Sequence, residues 1–144
     1  MRTRQQRWLV LLGIPIFSQI SGCDQSFNPK APFEKQLVVF SILSNASDTQ
    51  YVRVSTNYDV TGFDPSENQV DQSIVGAQVI VTGPSNSYRF EETLLPRSDT
   101  SRYKTPIHAY AVSPFRPEHG KTYNLAVTTG DLGTASGSVT IPEK

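Results

Sequence analysis

The residue with the most definite chemistry in this sequence is Cys23, the only cysteine of the 144-residue chain. It ends the segment Ile20-Ser21-Gly22-Cys23, which has the pattern of a lipobox: an aliphatic residue, two small residues and a cysteine. Ordinary signal-peptidase cleavage prefers a small residue where Ile20 stands, so the pattern favours lipoprotein processing. We predict cleavage between Gly22 and Cys23, with a diacylglyceryl group on the Cys23 sulfur and an acyl chain on its nitrogen. The mature chain would then have no free thiol and no disulfide.

The residues before Cys23 follow the order of a signal peptide. Met1–Arg7 carries three arginines, and Trp8–Ile20 is a largely apolar stretch of 13 residues that contains Pro15. A membrane-spanning helix needs about 20 apolar residues, so this stretch is too short for a permanent anchor. The alternative, a buried N-terminal helix with an incidental cysteine, does not explain why the sole cysteine follows a charged and then an apolar segment. We therefore predict a cleaved signal peptide over residues 1–22 and a lipid-anchored protein of the cell envelope.

A long polar loop is the most suggestive candidate for a binding site in the rest of the chain. It runs from Asn57 to Ser73, and loops of this length in small domains are often functional. Its carboxylates could coordinate calcium, although their spacing matches no EF-hand and a solvated acidic loop is the more frequent explanation. Tyr58 and Phe63 could form the lip of a binding site. The weak candidates for metal ligands are Asp59, Asp64, Glu67 and Asp71.

The two histidines, His108 and His119, have no neighbour at the spacing of a zinc motif. The sequence contains no HxH or HExxH segment, and the sole cysteine is assigned to the lipid. An enzyme built on this chain would need one histidine beside a carboxylate and a Ser or Thr hydroxyl. The sequence alone gives no sign of that arrangement.

Other residue types that could do chemistry lack the spacing it requires. Ser136 is not part of a Gly-x-Ser-x-Gly elbow, and Gly120-Lys121-Thr122 lacks the glycine that a phosphate-binding loop has where Phe115 stands, so a turn entering a strand is predicted there. Glu91 and Glu92 are adjacent, so on a strand they point to opposite faces and are predicted to be surface charges. We therefore predict that the chain is not an enzyme and takes no cofactor beyond the covalent lipid.

The charge balance argues against a nucleic-acid partner. The chain has 13 basic and 13 acidic residues, and three of the basic ones lie in the predicted signal peptide, which leaves 13 − 3 = 10 basic residues in the mature protein. The mature chain is thus mildly acidic and carries no basic patch. Binding to a phosphate backbone needs such a patch.

The elements that would position these residues are short β-strands. From Gln36 onward, stretches rich in Val, Ile, Thr and Tyr alternate with Gly, Pro, Asn and Asp clusters, and no helical period appears. This pattern predicts an all-β domain over residues 36–144: an immunoglobulin-like or transthyretin-like antiparallel sandwich of about seven strands. Residues 23–35 have few aliphatic side chains and are predicted to be the lipidated N-terminus and an extended tether.

The individual strands can be placed from their apolar patterns. Leu37–Leu43 is apolar on both faces and is predicted to be a central, covered strand, whereas Tyr51–Ser55 alternates like a half-exposed one. Ala77–Val81 and Tyr88–Phe90 flank the turn Gly83–Asn86 and are predicted to pair as a hairpin. Three further strands are predicted over His108–Val112, Thr122–Val127 and Ala135–Ile141.

The chain from Cys23 to Pro142 resembles the start of a lipoprotein family of unknown function, domain of unknown function 4249, found mainly in Bacteroidetes-type bacteria. The lipobox and spacer, Gly76-Ala77 before a strand, and Pro117-Glu118-His119-Gly120 followed by Tyr123 carry the likeness. Further shared segments are Leu37-Val38-Val39, Ile42-Leu43-Ser44-Asn45, Val75–Val81 and Gly120–Val127. The resemblance implies an outer-membrane lipoprotein with an accessory role beside TonB-dependent receptors. It implies no catalytic residues.

Two classes of function remain open at this stage. The first is a non-catalytic binding or accessory module that works with an outer-membrane TonB-dependent transport system from the periplasmic or the surface side. The alternative is a structural or adhesive surface lipoprotein that contacts glycans or other cells. Asp24 follows the lipobox, but a residue at this position does not decide between inner and outer membrane in all bacteria.

Overall fold

Seven antiparallel strands make up the fold in the computed structural model, which describes residues 30–144. The predicted signal peptide, Cys23 and most of the tether lie outside the described residues. Pro32–Lys144 forms one compact unit, and its helical content is a single 3-10 turn, Pro65–Glu67. The strands are β1 (Leu37–Ile42), β2 (Gln50–Thr56), β3 (Gln78–Thr82), β4 (Ser87–Leu95), β5 (Ile107–Val112), β6 (Thr122–Thr129) and β7 (Gly133–Thr140).

The strand order is that of an immunoglobulin-like sandwich. The strands follow one another as β1-β2-β5-β4-β3-β6-β7. In the immunoglobulin fold, the first, second, fifth and fourth strands form one sheet and the third, sixth and seventh form the other. The long strand β4 belongs to both sheets here, because Ser87–Phe90 pairs with β3 and Glu91–Leu95 pairs with β5. The predicted all-β sandwich of about seven strands is confirmed.

The core lies between the inward faces of the two sheets. On β2, residues alternate between buried and more exposed positions, as the sequence predicted for Tyr51–Ser55. The burial of each apolar side chain stabilises the domain by roughly 1.5 to 3 kcal/mol. The main buried core residues are Val52, Val54, Val79, Val81, Phe90, Tyr110, Phe115, Tyr123, Val127 and Ile141.

A tyrosine corner leads into β6. Tyr123 is buried, and its hydroxyl accepts a hydrogen bond of 3.0 Å from the backbone N–H of Glu118. Gly120 adopts a φ of 68° between them, a backbone conformation that favours glycine. The segment Gly120–Thr122 is therefore a turn entering a strand, as predicted. The same corner is a hallmark of immunoglobulin-like domains at the start of the sixth strand.

The predicted hairpin is confirmed, but the predicted position of the first strand is wrong. β3 and β4 pair in antiparallel register, with Val79 opposite Phe90 and Val81 opposite Tyr88. Among the seven described strands, β1 pairs with β2 alone and therefore lies at one end of the strand order instead of in the centre. Its outward face is exposed, and Phe40 and Ile42 retain 63% and 69% of their accessible surface.

The long connection between β2 and β3 partly rejoins the sheet. The backbone N–H of Thr56 donates to the carbonyl of Gln72 at 3.0 Å, and that of Ile74 donates to Val54 at 2.9 Å. The end of the connection thus runs beside β2, next to β5. Within residues 30–144, no helix is long and apolar enough to cross a membrane.

Candidate functional site

Asp71 anchors the polar loop between β2 and β3. Its carboxylate accepts hydrogen bonds from Arg53 at 2.8 Å, from Ser73 at 2.9 Å and from Arg97, and its side chain is almost fully buried. Burial alone would raise the pKa of Asp71, but the hydrogen bonds from Ser73 and Arg53 outweigh it and hold the pKa below its usual value. Asp71, one of the four carboxylates considered as calcium ligands, therefore accepts hydrogen bonds from three side chains.

The other carboxylates of the loop also bind nearby backbone groups. Asp64 caps the 3-10 turn by accepting from the Ser66 N–H at 2.8 Å, and Glu67 accepts from the Gly62 N–H at 3.0 Å. Hydrogen bonding to Ser66, through its side chain first and then its backbone N–H, lowers the pKa of Asp64. The Val60 N–H donates to Asp59 at 2.9 Å. Within residues 30–144, no group of three or more Asp, Glu, His or Cys side chains is placed to hold a metal ion.

The two aromatic residues predicted to form a binding lip have different environments. The Tyr58 hydroxyl accepts a hydrogen bond of 3.0 Å from Arg102, whose guanidinium also lies 5.7 Å from the Tyr58 ring centroid. The Arg102 guanidinium also lies over the Tyr103 ring, at 4.9 Å from its centroid. Phe63 is exposed at the surface. Tyr58 therefore helps to hold the loop, and Phe63 is the member that faces solvent.

His108 lies beside a carboxylate, as the enzyme hypothesis would require. Its Nε2 atom is 3.4 Å from Glu92, and its Nδ1 atom is buried without a hydrogen-bond partner among the described residues. The hydroxyl at this place belongs to Tyr110, which donates to the Ile74 carbonyl at 2.8 Å and accepts from the Ala77 N–H at 2.9 Å. The cluster therefore joins β4 and β5 to the start of β3.

Glu92 holds that cluster together. Its carboxylate accepts from the Gly76 N–H and lies 3.3 Å from the Tyr110 hydroxyl. The Gly76 bond, and then the neighbouring His108, lower the pKa of Glu92. Glu92 is at the surface, as predicted, but it also has a structural function. Its neighbour Glu91 lies on the other face of β4, where Arg89 is 3.6 Å away.

The second histidine, His119, connects two loops to the C-terminal segment. Its Nδ1 atom is 2.8 Å from the Pro142 carbonyl, and its Nε2 atom is 2.6 Å from the Asn45 side-chain amide. A neutral ring that donates from Nδ1 and accepts at Nε2 satisfies both contacts. Ser136 lies in β7, as predicted, on a strand that contains neither histidine. Ser136 and the two histidines thus lie in separate parts of the sandwich.

An apolar surface at the β1 edge stands apart from these polar clusters. The outward face of β1 carries Val38, Phe40 and Ile42, and Ile42 stands opposite Tyr51 on β2. All four side chains are exposed. Contiguous exposed apolar side chains of this kind mark interaction surfaces. We call Val38, Phe40, Ile42 and Tyr51 the β1 patch.

A cleft of about 380 Å³ adjoins the β1 patch, between the two strands that end the strand order. One wall is the inward face of β1, with Val39 and Ser41, and the other is formed by β6 and β7, with Leu125, Gly137 and Val139. None of the described residues that line the cleft carries a charge. The β1 patch and this cleft are the candidate functional site of the described domain.

Sequence reasoning did not find this site because it placed β1 in the centre of a sheet. It also missed Gln50, a fully buried residue whose side-chain amide makes four hydrogen bonds to the backbone. β1 is apolar on both faces, which is unusual for an edge strand. Its edge position becomes known only from the strand pairing. No single-residue signal in the sequence reports it.

Comparisons with known proteins place the chain in a family without naming an activity. Residues 24–144 match the model of a family described as domain of unknown function (DUF4249). Searches of the curated proteins and of the solved structures found no match. Because the matched residues make up most of the sequence, the chain belongs to the DUF4249 family.

Proposed function

We propose that this protein is a lipid-anchored component of the cell envelope whose domain is a non-catalytic binding module. The observation that carries the binding role is the β1 patch, which exposes four large apolar side chains beside a cleft without charged residues. Such a surface lowers the solubility of a protein unless a partner covers it. Three of the polar residues considered for catalysis, His108, His119 and Glu92, are in contrast engaged in hydrogen bonds or ion pairs that join separate segments of the sandwich.

The anchor rests on the sequence around Cys23. The lipobox and the preceding charged and apolar segments support cleavage at Gly22/Cys23 and a diacylglyceryl and N-acyl modification. A lipid-anchored domain meets its partners at the membrane surface, where the local concentration of envelope proteins is high. Anchoring therefore compensates for a binding site of modest size.

We further propose that the partner is an outer-membrane protein, with a TonB-dependent transporter as the leading class. The support for this is the likeness to a lipoprotein family of Bacteroidetes-type bacteria in which an accessory role beside such receptors is expected. The proposed location is the outer membrane, on its periplasmic or its surface side.

Palmitate labelling tests the anchor. Cells that produce the full chain or its Cys23→Ala variant are fed labelled palmitate, and the envelope and soluble fractions are compared. We expect label and membrane association for the wild type only. Both proteins should keep the same thermal unfolding transition, because all seven strands follow Gln36 in the sequence. Label on the Cys23→Ala variant would refute the assignment.

Affinity capture from detergent-solubilised envelopes after chemical cross-linking tests the binding role. Two exposed phenylalanines give a matched pair of variants, Phe40→Ser in the β1 patch and Phe63→Ser in the polar loop. We expect the wild type and Phe63→Ser to recover the same outer-membrane protein and Phe40→Ser to lose it. Equal recovery by all three proteins would count against a binding role for the β1 patch.

A further inference from the structure

We propose that the cleft between β1 and β7 accepts an extended, uncharged polypeptide strand of a partner protein, which pairs with the free edge of one or both strands. This inference rests on the proposed binding function and specifies the partner's chemistry. β1 and β7 stand at opposite ends of the strand order, so within residues 30–144 each pairs on one side only. Their free edges present a series of backbone donors and acceptors, which an added strand satisfies.

Neither edge carries the features that normally prevent such pairing. Natural edge strands are protected by charged side chains, prolines or bulges. β1 has the sequence LVVFSI and β7 has GTASGSVT, with no charged residue and no proline. The lining of the cleft is likewise uncharged, which excludes a charged strand as the favoured occupant because an unpaired charge there would be desolvated.

β1 has the composition of a strand that is covered on both faces. Its inward residues Leu37 and Val39 pack against the core, and its outward residues Phe40 and Ile42 are exposed. A strand added at this edge would continue both faces. Its inward side chains would enter the cleft, and its outward ones would lie beside Phe40 and Ile42 and remove apolar surface from water.

Gly137 leaves room for the added backbone. It lies in the middle of β7 opposite Leu125, with its side-chain position facing the cleft. Apart from its two chain neighbours, no atom of the described residues lies within 4 Å of a Cβ atom built on Gly137. A glycine within a strand often marks a place where another backbone approaches closely, because the missing side chain leaves the edge unobstructed.

The tether is too short to supply the strand itself. Pro32–Gln36 leads out from the start of β1, and Asn57 fixes it there by accepting from the Gln36 N–H at 2.6 Å and donating to the Glu34 carbonyl at 2.9 Å. After cleavage between Gly22 and Cys23, nine residues, 23–31, precede this segment. If they folded back, about five would run past Pro32–Gln36, because extended residues have nearly the same rise, and only about four, including the lipidated Cys23, would reach β1.

Amide hydrogen exchange with a defined peptide tests the site. The probe is a blocked peptide with the sequence of Leu37–Leu43 and one lysine at each end, which is apolar on both faces. We expect the peptide to slow exchange of the free-edge amides of β1 or β7 by about tenfold or more at saturation, as expected for newly paired strand amides. Protection elsewhere, or none at millimolar peptide, would overturn the proposal.

Two lysine substitutions on β7 provide matched variants. Gly137→Lys places a charge in the cleft, whereas Ser136→Lys places it on the outward face of the same strand. We expect Gly137→Lys to weaken peptide binding by about tenfold or more and Ser136→Lys to change it by less than about twofold, because only the first charge is desolvated by the bound strand. Gly137→Leu, which fills the cleft without a charge, should also block binding. Equal affinity of the Gly137 variants and the wild type would contradict the proposal.

Capture of the envelope partner separates this inference from the proposed function. If Gly137→Lys captures the partner as well as the wild type does, the binding module stands and the cleft is not its site. If the peptide binds the cleft but no envelope protein is captured, the strand-accepting site stands and the proposed function falls.

Two other occupants of the cleft would overturn the assignment to a partner strand. A concentration-dependent dimer that protects the same amides would show that the strand comes from a second copy of this chain. Loss of edge protection in the free protein when residues 24–31 are deleted would identify the tether as the occupant instead.

Discussion

The Tyr123 hydroxyl lies 3.0 Å from the backbone nitrogen of Glu118 and accepts its hydrogen bond. The ring of Tyr123 is buried in the core, 5.5 Å from the Phe115 ring centroid. One side chain therefore fixes the turn before β6 to the packed interior. This turn also holds the C-terminal segment, because the Gly120 N–H donates to the Ile141 carbonyl at 2.9 Å.

Tyr123→Phe should lower the free energy of unfolding by about 1 to 2 kcal/mol, because the Glu118 N–H loses its acceptor while the ring stays in the core. Urea unfolding monitored by circular dichroism measures this change. Tyr88→Phe is the matched control: it keeps the ring that stacks on Phe115 at 3.9 Å between centroids. We expect the control to change stability by less than about 0.5 kcal/mol. Equal effects of the two variants would argue against the tyrosine corner.

Gln50→Glu should be among the most destabilising single-atom changes in the domain. The Gln50 Nε2 atom donates to the carbonyls of Ser44, Ser47 and Phe115 at 2.8, 2.7 and 3.1 Å, and the side chain is buried. A carboxylate can still accept from the Ser44 N–H, but it has no donor for these three carbonyls and its charge would be buried without a counter-charge, at a cost of about 3 to 5 kcal/mol.

Thermal and urea unfolding at pH 7 check the Gln50 prediction against Gln78→Glu, which makes the same change on an exposed position of β3. The exposed variant should unfold within about 0.5 kcal/mol of the wild type. A Gln50→Glu protein as stable as the control would mean that the β1–β2 connection rearranges and that its amide network is dispensable.

Much of the sandwich follows from local sequence patterns. In β6, the large apolar residues Tyr123, Leu125 and Val127 alternate with small or polar ones, and this period of two fixes both the strand and its inward face. The turn between β3 and β4 is equally local, since Gly83 and its neighbours lie between two alternating segments. Such features need no knowledge of distant contacts, and the structure confirms them.

The position of β1 and the interactions of the polar residues depend on distant contacts. The pattern of β1 predicts cover on both faces, but the pairing of β2 with β5 decides which strand lies at the edge. Asp71 meets Arg97 only because the folded chain brings residues 26 positions apart together. Gln50 is buried although its residue type is mostly exposed, and only the carbonyls around it explain why.

Glu92→Ala should loosen the start of β3. The variant removes the acceptor of the Gly76 N–H and the partner of His108 and Tyr110. We expect faster amide hydrogen exchange at Gly76 and Ala77, while the core strands keep their protection. Glu92→Gln should restore part of the protection, because its amide oxygen can still accept from Gly76.

The matched control for this cluster is Glu91→Ala, on the other face of β4. Its carboxylate lies 3.6 Å from Arg89, and both side chains are largely exposed, so its loss should leave exchange at Gly76 unchanged. If Glu91→Ala accelerated exchange at Gly76 as much as Glu92→Ala does, the effect would come from β4 as a whole and not from the carboxylate cluster.

Asp71→Asn should destabilise the domain most strongly at neutral pH. The substitution removes the charge that binds Arg53 and Arg97, and we expect a loss of about 1 to 3 kcal/mol in the free energy of unfolding. The pKa of Asp71 is lower in the folded than in the unfolded state. The stabilisation from its ionised form is therefore fully present above the unfolded pKa, near 3.8, and is lost as the pH falls through the folded pKa.

Urea unfolding of the wild type and Asp71→Asn between pH 7 and pH 2 tests this dependence. The difference between the two proteins should be constant down to about pH 4.5, about half a unit above the usual Asp value, and should shrink at lower pH as Asp71 is protonated in both states. Asp131→Asn, in the exposed turn between β6 and β7, controls for the removal of one carboxylate. A difference in the free energy of unfolding that stays constant down to pH 2 would contradict the prediction. It would show that Asp71→Asn destabilises the domain through altered packing or hydrogen bonds, and that the ion pairs of Asp71 with Arg53 and Arg97 do not stabilise it.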